Sequence, residues 1–252
     1  PPRLARPGFD RAMELLRLGE GAFAQKEIAA LGLSEDDDAG NWTVAILYAK
    51  AGMIDSAFKY ARTHTKDWSE HFPSGKWREL WDLAYPRPYL SAMEREAQRS
   101  GIPVALGYGI TREESAFDPA VVSSADAYGL MQLILPTAKR VGKSLDIKVD
   151  VAALKQPETN IALGCKLLAD LRAMFPNAPF LAIPSYNAGA GATKKWLTSR
   201  PTDDWDIWVA LITYEETRKY TKRVMASVAA YSYLIDRTKI DDAMRSPIRP
   251  RP

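Results

Sequence analysis

The chain has 252 residues, 46% hydrophobic and 26% charged, enough for one large or two modest globular cores. Its 34 basic and 31 acidic side chains leave a formal charge of +3, far from the dense basic content of an obligate nucleic-acid binder. A single cysteine, Cys165, excludes an internal disulfide. Only two histidines are present, His64 and His71, both in the first third and without Cys or His partners at ligand spacing. That argues against a zinc site and against a serine–histidine–aspartate machine, so no metal or cofactor is expected. No apolar run approaches the roughly 20 residues that cross a bilayer. No secretory signal is visible, and the opening PPRLARPGF lacks an initiator methionine, as expected of a processed or trimmed chain.

Helical periodicity dominates, and alternating strand runs are missing, so the expected fold class is all-α. Residues 1–84 read as short helices in pairs. FDRAMELLRLGEGAFAQKEIAAL and NWTVAILYAKAGMIDSAFKYAR share a helix–glycine–helix pattern, with Gly19 and Gly52 33 positions apart. That offset is close to the period of ~34 residues found in helix-pair repeats. DDDAGN is a polar break before the second pair. Trp68, Phe72, Trp77 and Trp81 follow in an aromatic-rich stretch. Their rings suit sugar binding, but packing of the repeat onto the next domain is the favoured expectation. YPRPY at 85–89 is a proline-punctuated connector and the expected boundary.

From 85 to 236 the pattern is helical again. LSAMEREAQRSG ends on Gly101 as a C-cap. IPVALGYGITREESAF reads as a helix stopped by Asp118-Pro119. VVSSADAYG is a loop, and LMQLILPTAKRVG turns into a helix. PETNIALGCKLLADLRAMF is expected to be amphipathic, with Cys165 a buried, inert thiol. PFLAIPSYNAGAGATKKWL reads as a helix interrupted at Pro184 and closed by a glycine-rich turn. One or two last helices end near 236, and the Pro/Arg-rich tail 237–252 is expected to be disordered.

Two adjacent acids, Glu113 and Glu114, raise the question of which can do chemistry. Helical neighbours point about 100° apart and cannot both aim at one substrate atom. They flank an apolar stripe of Leu106, Ile110 and Phe117, so periodicity alone does not choose between them. Gly107, seven residues before Glu114, would leave room for a ligand beside that carboxylate.

Four segments then act together: REESAFDP at 112–119, SSADAYGLMQL at 123–133, SYNAGAG at 185–191 and ITYEETRKYTKRV at 212–224. In this order and spacing they resemble the four motifs of the soluble lytic transglycosylases, lysozyme-like enzymes that cleave peptidoglycan glycan strands. The resemblance covers about residues 85–235. The preceding helix pairs resemble the superhelical region of the larger members. It implies that Glu114, directly before serine, is the catalytic acid and Glu113 a flanking charge. Substrate-binding roles fall on Ser123, Met131, Gln132, Tyr186, Asn187 and Glu216, with Tyr186 expected to hold or polarise Glu114.

The implied reaction cuts the MurNAc–GlcNAc β-1,4 bond and leaves 1,6-anhydro ends. Glu114 acts first as acid, then as base toward the sugar's own C6 hydroxyl, so one carboxylate suffices. An apolar wall from Leu130 and Met131 would keep it protonated. The resemblance also implies a cell-envelope, periplasmic location and glycan strands as partner, while the helical pairs offer a surface for a protein partner. Some positions depart from the pattern: Ile134-Leu135 stand for Met-Pro, Asp126 for a frequent glycine, Leu167 for a tyrosine, and Pro184-Ser185 for two alanines. A kink at Pro184 would re-aim Tyr186. The alternatives are a goose-type lysozyme-like hydrolase, with Asp118 or Asp126 activating water, and a non-catalytic glycan-binding scaffold.

Overall fold

The computed structural model describes residues 4–65, 67–200, 202 and 204–236. The tail expected to be disordered, 237–252, lies outside the described residues. Helix dominates, and the chain divides into two compact units, Pro1–Pro88 and Tyr89–Pro252.

The first unit contains α1 (Pro7–Arg17), α2 (Gly21–Ala30), α3 (Asp38–Lys50), α4 (Ile54–His64), a 3-10 turn (Asp67–Glu70) and α5 (Lys76–Ala84). The two helix–glycine–helix turns have one geometry. Gly19 and Gly52 both take φ of 77°, a left-handed value that favours glycine. The following N–H closes back five residues, from Glu20 to the Leu15 carbonyl and from Met53 to that of Tyr48. This is a Schellman stop, and it turns each chain into the next helix. Ala12, Ile28, Val44, Tyr48 and Ala57 form the core beneath the pairs. The polar break supplies a cap, since the Asp37 carboxylate accepts from the Gly40 N–H at 3.2 Å at the start of α3. Trp68 stands edge-on to Trp81, Trp81 stacks on Tyr85, and Trp77 stacks on His71. Trp68 also packs against the Trp42, Ala45 and Ala61 cluster of this unit.

The second unit opens with α6 (Leu90–Ser100), closed as expected by Gly101 at φ 66°, and α7 (Val104–Ser115). Next come β1 (Ala127–Tyr128) and β2 (Leu133–Ile134), paired antiparallel, then α8 (Leu135–Lys143), α9 (Val151–Leu154) and α10 (Pro157–Ala173). A 3-10 turn (Pro179–Leu181) leads into α11 (Ala182–Ala188), followed by α12 (Ala190–Ser199), α13 (Trp205–Ala210) and α14 (Glu215–Asp236).

The expected amphipathic α10 is instead buried on every side through its first half, from Asn160 to Cys165. It runs through the centre of the unit and packs against α6, α8 and α11. Small residues make this possible. A Cβ on Gly164 would collide with the sulfur of Met131. Cys165 is fully buried, and burial pushes its thiol up to about 12, so it is inert as expected. α7 is likewise enclosed, between α6 and α14. Gly109 lets α14 approach, because a Cβ there would lie 2.7 Å from the Val228 side chain. The space at Gly107 is filled by Met93 of α6 rather than left for a ligand.

Two expectations about helix ends change. α7 stops at Ser115, before Asp118-Pro119, because Ser115 itself ends it. Its hydroxyl donates to the Thr111 carbonyl (3.2 Å) and accepts from the Phe117 N–H (3.1 Å), while Ala116 and Phe117 both turn left-handed. Pro184 does not interrupt a helix. It sits in the first turn of α11, where a missing N–H leaves little unsatisfied. The break comes at Gly189, at φ 84°.

Candidate active site

The end of α7 separates the two acids. Glu113 turns into protein, its side chain only 3% exposed. Its carboxylate accepts from Arg112 at 3.0 Å and from Arg223 of α14 at 2.8 Å. The Ser227 hydroxyl completes the cluster by accepting from Arg112 at 3.2 Å. Glu113 is therefore neither surface acid nor a free charge; it binds α7 to α14.

Glu114 turns the other way and opens onto a groove of about 760 Å³. One oxygen accepts a 2.6 Å hydrogen bond from the Tyr220 hydroxyl of α14. Burial pushes the Glu114 carboxyl up from its ordinary 4.5 to about 7. The charges of Glu113 and Glu216 push in the same direction, and the Tyr220 bond pulls the other way. Tyr220 is itself held well above its usual range, by burial first and then by the Glu114 charge, so it stays a hydrogen-bond donor.

The Gly129–Gln132 loop forms one wall and is held from below. Gly129 takes φ of 75°, and a Cβ there would strike the Leu154 carbonyl and the Asn160 amide. The wholly buried Asn160 brackets the loop, accepting from the Met131 N–H at 2.7 Å and donating to the carbonyls of Tyr128 and Leu154 at 2.9 and 2.7 Å. Gln132, left-handed at φ 47°, donates its amide to the carbonyls of Gly129 (2.9 Å) and Val121 (3.2 Å). Its side-chain oxygen remains to accept from a ligand. Ser123 accepts from the N–H groups of Ala125 and Ala127, shaping its own loop where it meets the groove. Asp126, where a glycine is frequent, takes φ of 54°, a conformation aspartate tolerates better than most residues.

Glu114, Ser123, Gln132, Tyr186, Asn187 and Glu216 all line the groove. Met131 does not. It is fully buried with its sulfur against Gly164, supporting the wall from behind. Tyr186 differs from expectation too. Its hydroxyl donates to the Met131 carbonyl at 2.7 Å, and the tyrosine bonded to Glu114 is Tyr220. Asn187 accepts from the Thr217 hydroxyl at 2.6 Å, joining the end of α11 to α14. Arg218 donates to the Ile212 carbonyl, which leaves its neighbour Glu216 exposed in the groove. Among the described residues no cluster of His, Cys, Asp or Glu could hold a metal ion.

With this groove in view, the match to known proteins is specific: residues 91–209 fit the family model described as the transglycosylase SLT domain. That match spans just under half of the chain. It is 34% identical over 163 residues to the soluble lytic murein transglycosylase of Escherichia coli K12, covering 62% of this chain and 25% of that protein. It is 35% identical over 182 residues to a putative soluble lytic murein transglycosylase of Haemophilus influenzae, covering 66% and 30%. An inactive glutamate-to-glutamine mutant of the lytic transglycosylase Slt from Pseudomonas aeruginosa superposes with a TM-score of 0.78 at 26% identity, over 97% of this chain and 38% of that one. The 70-kDa soluble lytic transglycosylase of Escherichia coli gives 0.74 at 27%, over 98% and 38%. The chain thus spans a quarter to a third of the length of these curated relatives.

The SLT match stops at residue 209, short of α14, which carries Tyr220, Glu216 and Arg223. Tyr220 lies within the ITYEETRKYTKRV segment, so the signal for it was in the sequence without a role attached. Asn160 was marked only by being an amide inside an apolar helical run.

Proposed function

We propose that the chain is a peptidoglycan lytic transglycosylase acting at the cell wall. It cuts the MurNAc–GlcNAc β-1,4 bond with Glu114 as its acid and base. The observation that carries this reading is a carboxyl raised to about 7, opening on a groove and gripped by a buried tyrosine. Such a group is protonated often enough near neutrality to donate to the leaving oxygen, and basic enough afterwards to take a proton back. Protonated Glu114 gives its proton to the glycosidic oxygen as that bond breaks. The resulting carboxylate then takes the proton from the C6 hydroxyl as its oxygen closes on the anomeric carbon. Ser123, Gln132 and Asn187 are proposed to orient the sugars, and Tyr186 to hold the Met131 carbonyl and thereby the loop. Asp118 and Asp126, the acids considered for activating water, are not among the groove-lining residues. Asp118 instead accepts from the Ala120 N–H in its own turn.

The test is mass spectrometry of digested sacculi. Anhydro-muramyl ends are expected. Products heavier by one water, about 18 Da, at every cleavage would make the enzyme a hydrolase. Glu114→Gln is expected to bind glycan while losing at least about 10²–10⁴ in turnover; unchanged cleavage would remove Glu114 from its role.

A further inference from the structure

The groove has a second wall whose chemistry differs from that around Glu114. The acids come from α7 and α14. The other wall comes from α8 and α10. Ile134, Thr137 and Arg140 recur at three-residue spacing and all line the groove, so one face of α8 fronts it. Leu167, Leu171 and Met174 do the same from α10 and its C-cap.

This wall is unusual in two respects. Ile134 and Met174 are large apolar side chains left 43% and 47% exposed in a groove. Arg140 is the single cation among the groove-lining residues, and among the described residues no hydrogen bond or ion pair engages its guanidinium. The last turn of a helix favours a basic residue, but Lys143 in the same turn meets that preference without lining the groove. A planar guanidinium in a groove that also exposes apolar side chains suits a carboxylate carried next to a small apolar group.

We propose that Arg140, with Ile134 and Met174, forms a subsite for a carboxylate on the lactyl arm of the muramyl sugar, either the bare lactyl acid or an acid of the peptide attached to it. The methyl of that arm lies against the apolar shelf, and the carboxylate meets the guanidinium. The inference rests on the peptidoglycan reading above, which it sharpens by adding selection for what the muramyl residue carries.

The test is calorimetric binding of muramyl-containing tetrasaccharides to the whole chain in a Glu114→Gln background, where ligands stay intact. Four ligands are compared: bare lactyl acid, peptide-bearing, and each of these with all carboxylates converted to amides. Adding Arg140→Ala is expected to weaken a carboxylate-bearing ligand about fivefold and its amide form less than about twofold, with Arg140→Lys keeping part of the affinity. Loss confined to the bare ligand assigns the subsite to the lactyl acid; loss confined to the peptide-bearing ligand assigns it to the peptide. Equal loss for acid and amide forms, or no loss with any ligand, overturns the subsite. Turnover of sacculi by the unsubstituted chain is scored separately. Failure to cleave would refute the catalytic reading without altering the Arg140 comparison.

Discussion

At the scale of single residues, Glu114 is governed by opposing neighbours. Tyr220 donates to it and lowers its pKa, while the Glu216 charge raises it. In its proposed role as acid catalyst Glu114 must be protonated, so kcat/KM is expected to fall as pH rises through its value of about 7. Tyr220→Phe removes the hydrogen bond and should move that descending limb to higher pH. Glu216→Gln removes a like charge and should move it to lower pH. A pH–rate profile of the two variants checks both signs at once, and shifts in the same direction would contradict this electrostatic account. The glutamate proposed as the acid is singled out in the sequence by its serine neighbour and three distant motifs, and the structure places it on the groove. Its hydrogen-bond partner was not, because a helical pattern does not say which of two tyrosines, Tyr186 or Tyr220, reaches a carboxylate from another element. Met131 misled for a related reason: apolar character marks a wall but not which side of the wall a side chain occupies.

Among the elements, the decisive contact is between α7 and α14, closed by small residues and by charge. Gly109 brings the backbones together, and Glu113 joins them through Arg112 and Arg223. Removing one member of a buried ionic cluster leaves the rest uncompensated, which costs about 3–5 kcal/mol. Glu113→Ala is therefore expected to lose about 3 kcal/mol in denaturant unfolding. Arg223→Ala should lose under about 1 kcal/mol, since Arg223 is 46% exposed and Glu113 keeps Arg112. Equal small losses from both would show that the cluster does not join the helices. The helices themselves were mostly readable from apolar spacing and from glycine stops such as Gly19, Gly52 and Gly101. What escaped was their environment. α10 reads as amphipathic, yet its small residues let neighbours close around it, and no local pattern encodes how many sides of a helix are covered.

For the whole molecule, the SLT match and the site do not share an end. The matched residues finish at 209, while the helix that grips Glu114 starts at 215. A fragment of residues 89–236 is expected to fold with a cooperative transition, and one ending at 210 to lose it. Circular dichroism and thermal melts distinguish them, and a stable, cooperatively folded 89–210 would show that α14 is dispensable. Tyr220 and Glu114 lie 106 positions apart. Chains emerge from the ribosome N-terminus first, at about 5–20 residues per second. Until the last described helix has been synthesised and has docked, Glu114 lacks the Tyr220 hydroxyl and the cover of α14, and titrates closer to an ordinary carboxylate. A chain broken off before α14 therefore carries Glu114 without the setting that raises its pKa, and without the acid chemistry proposed for it.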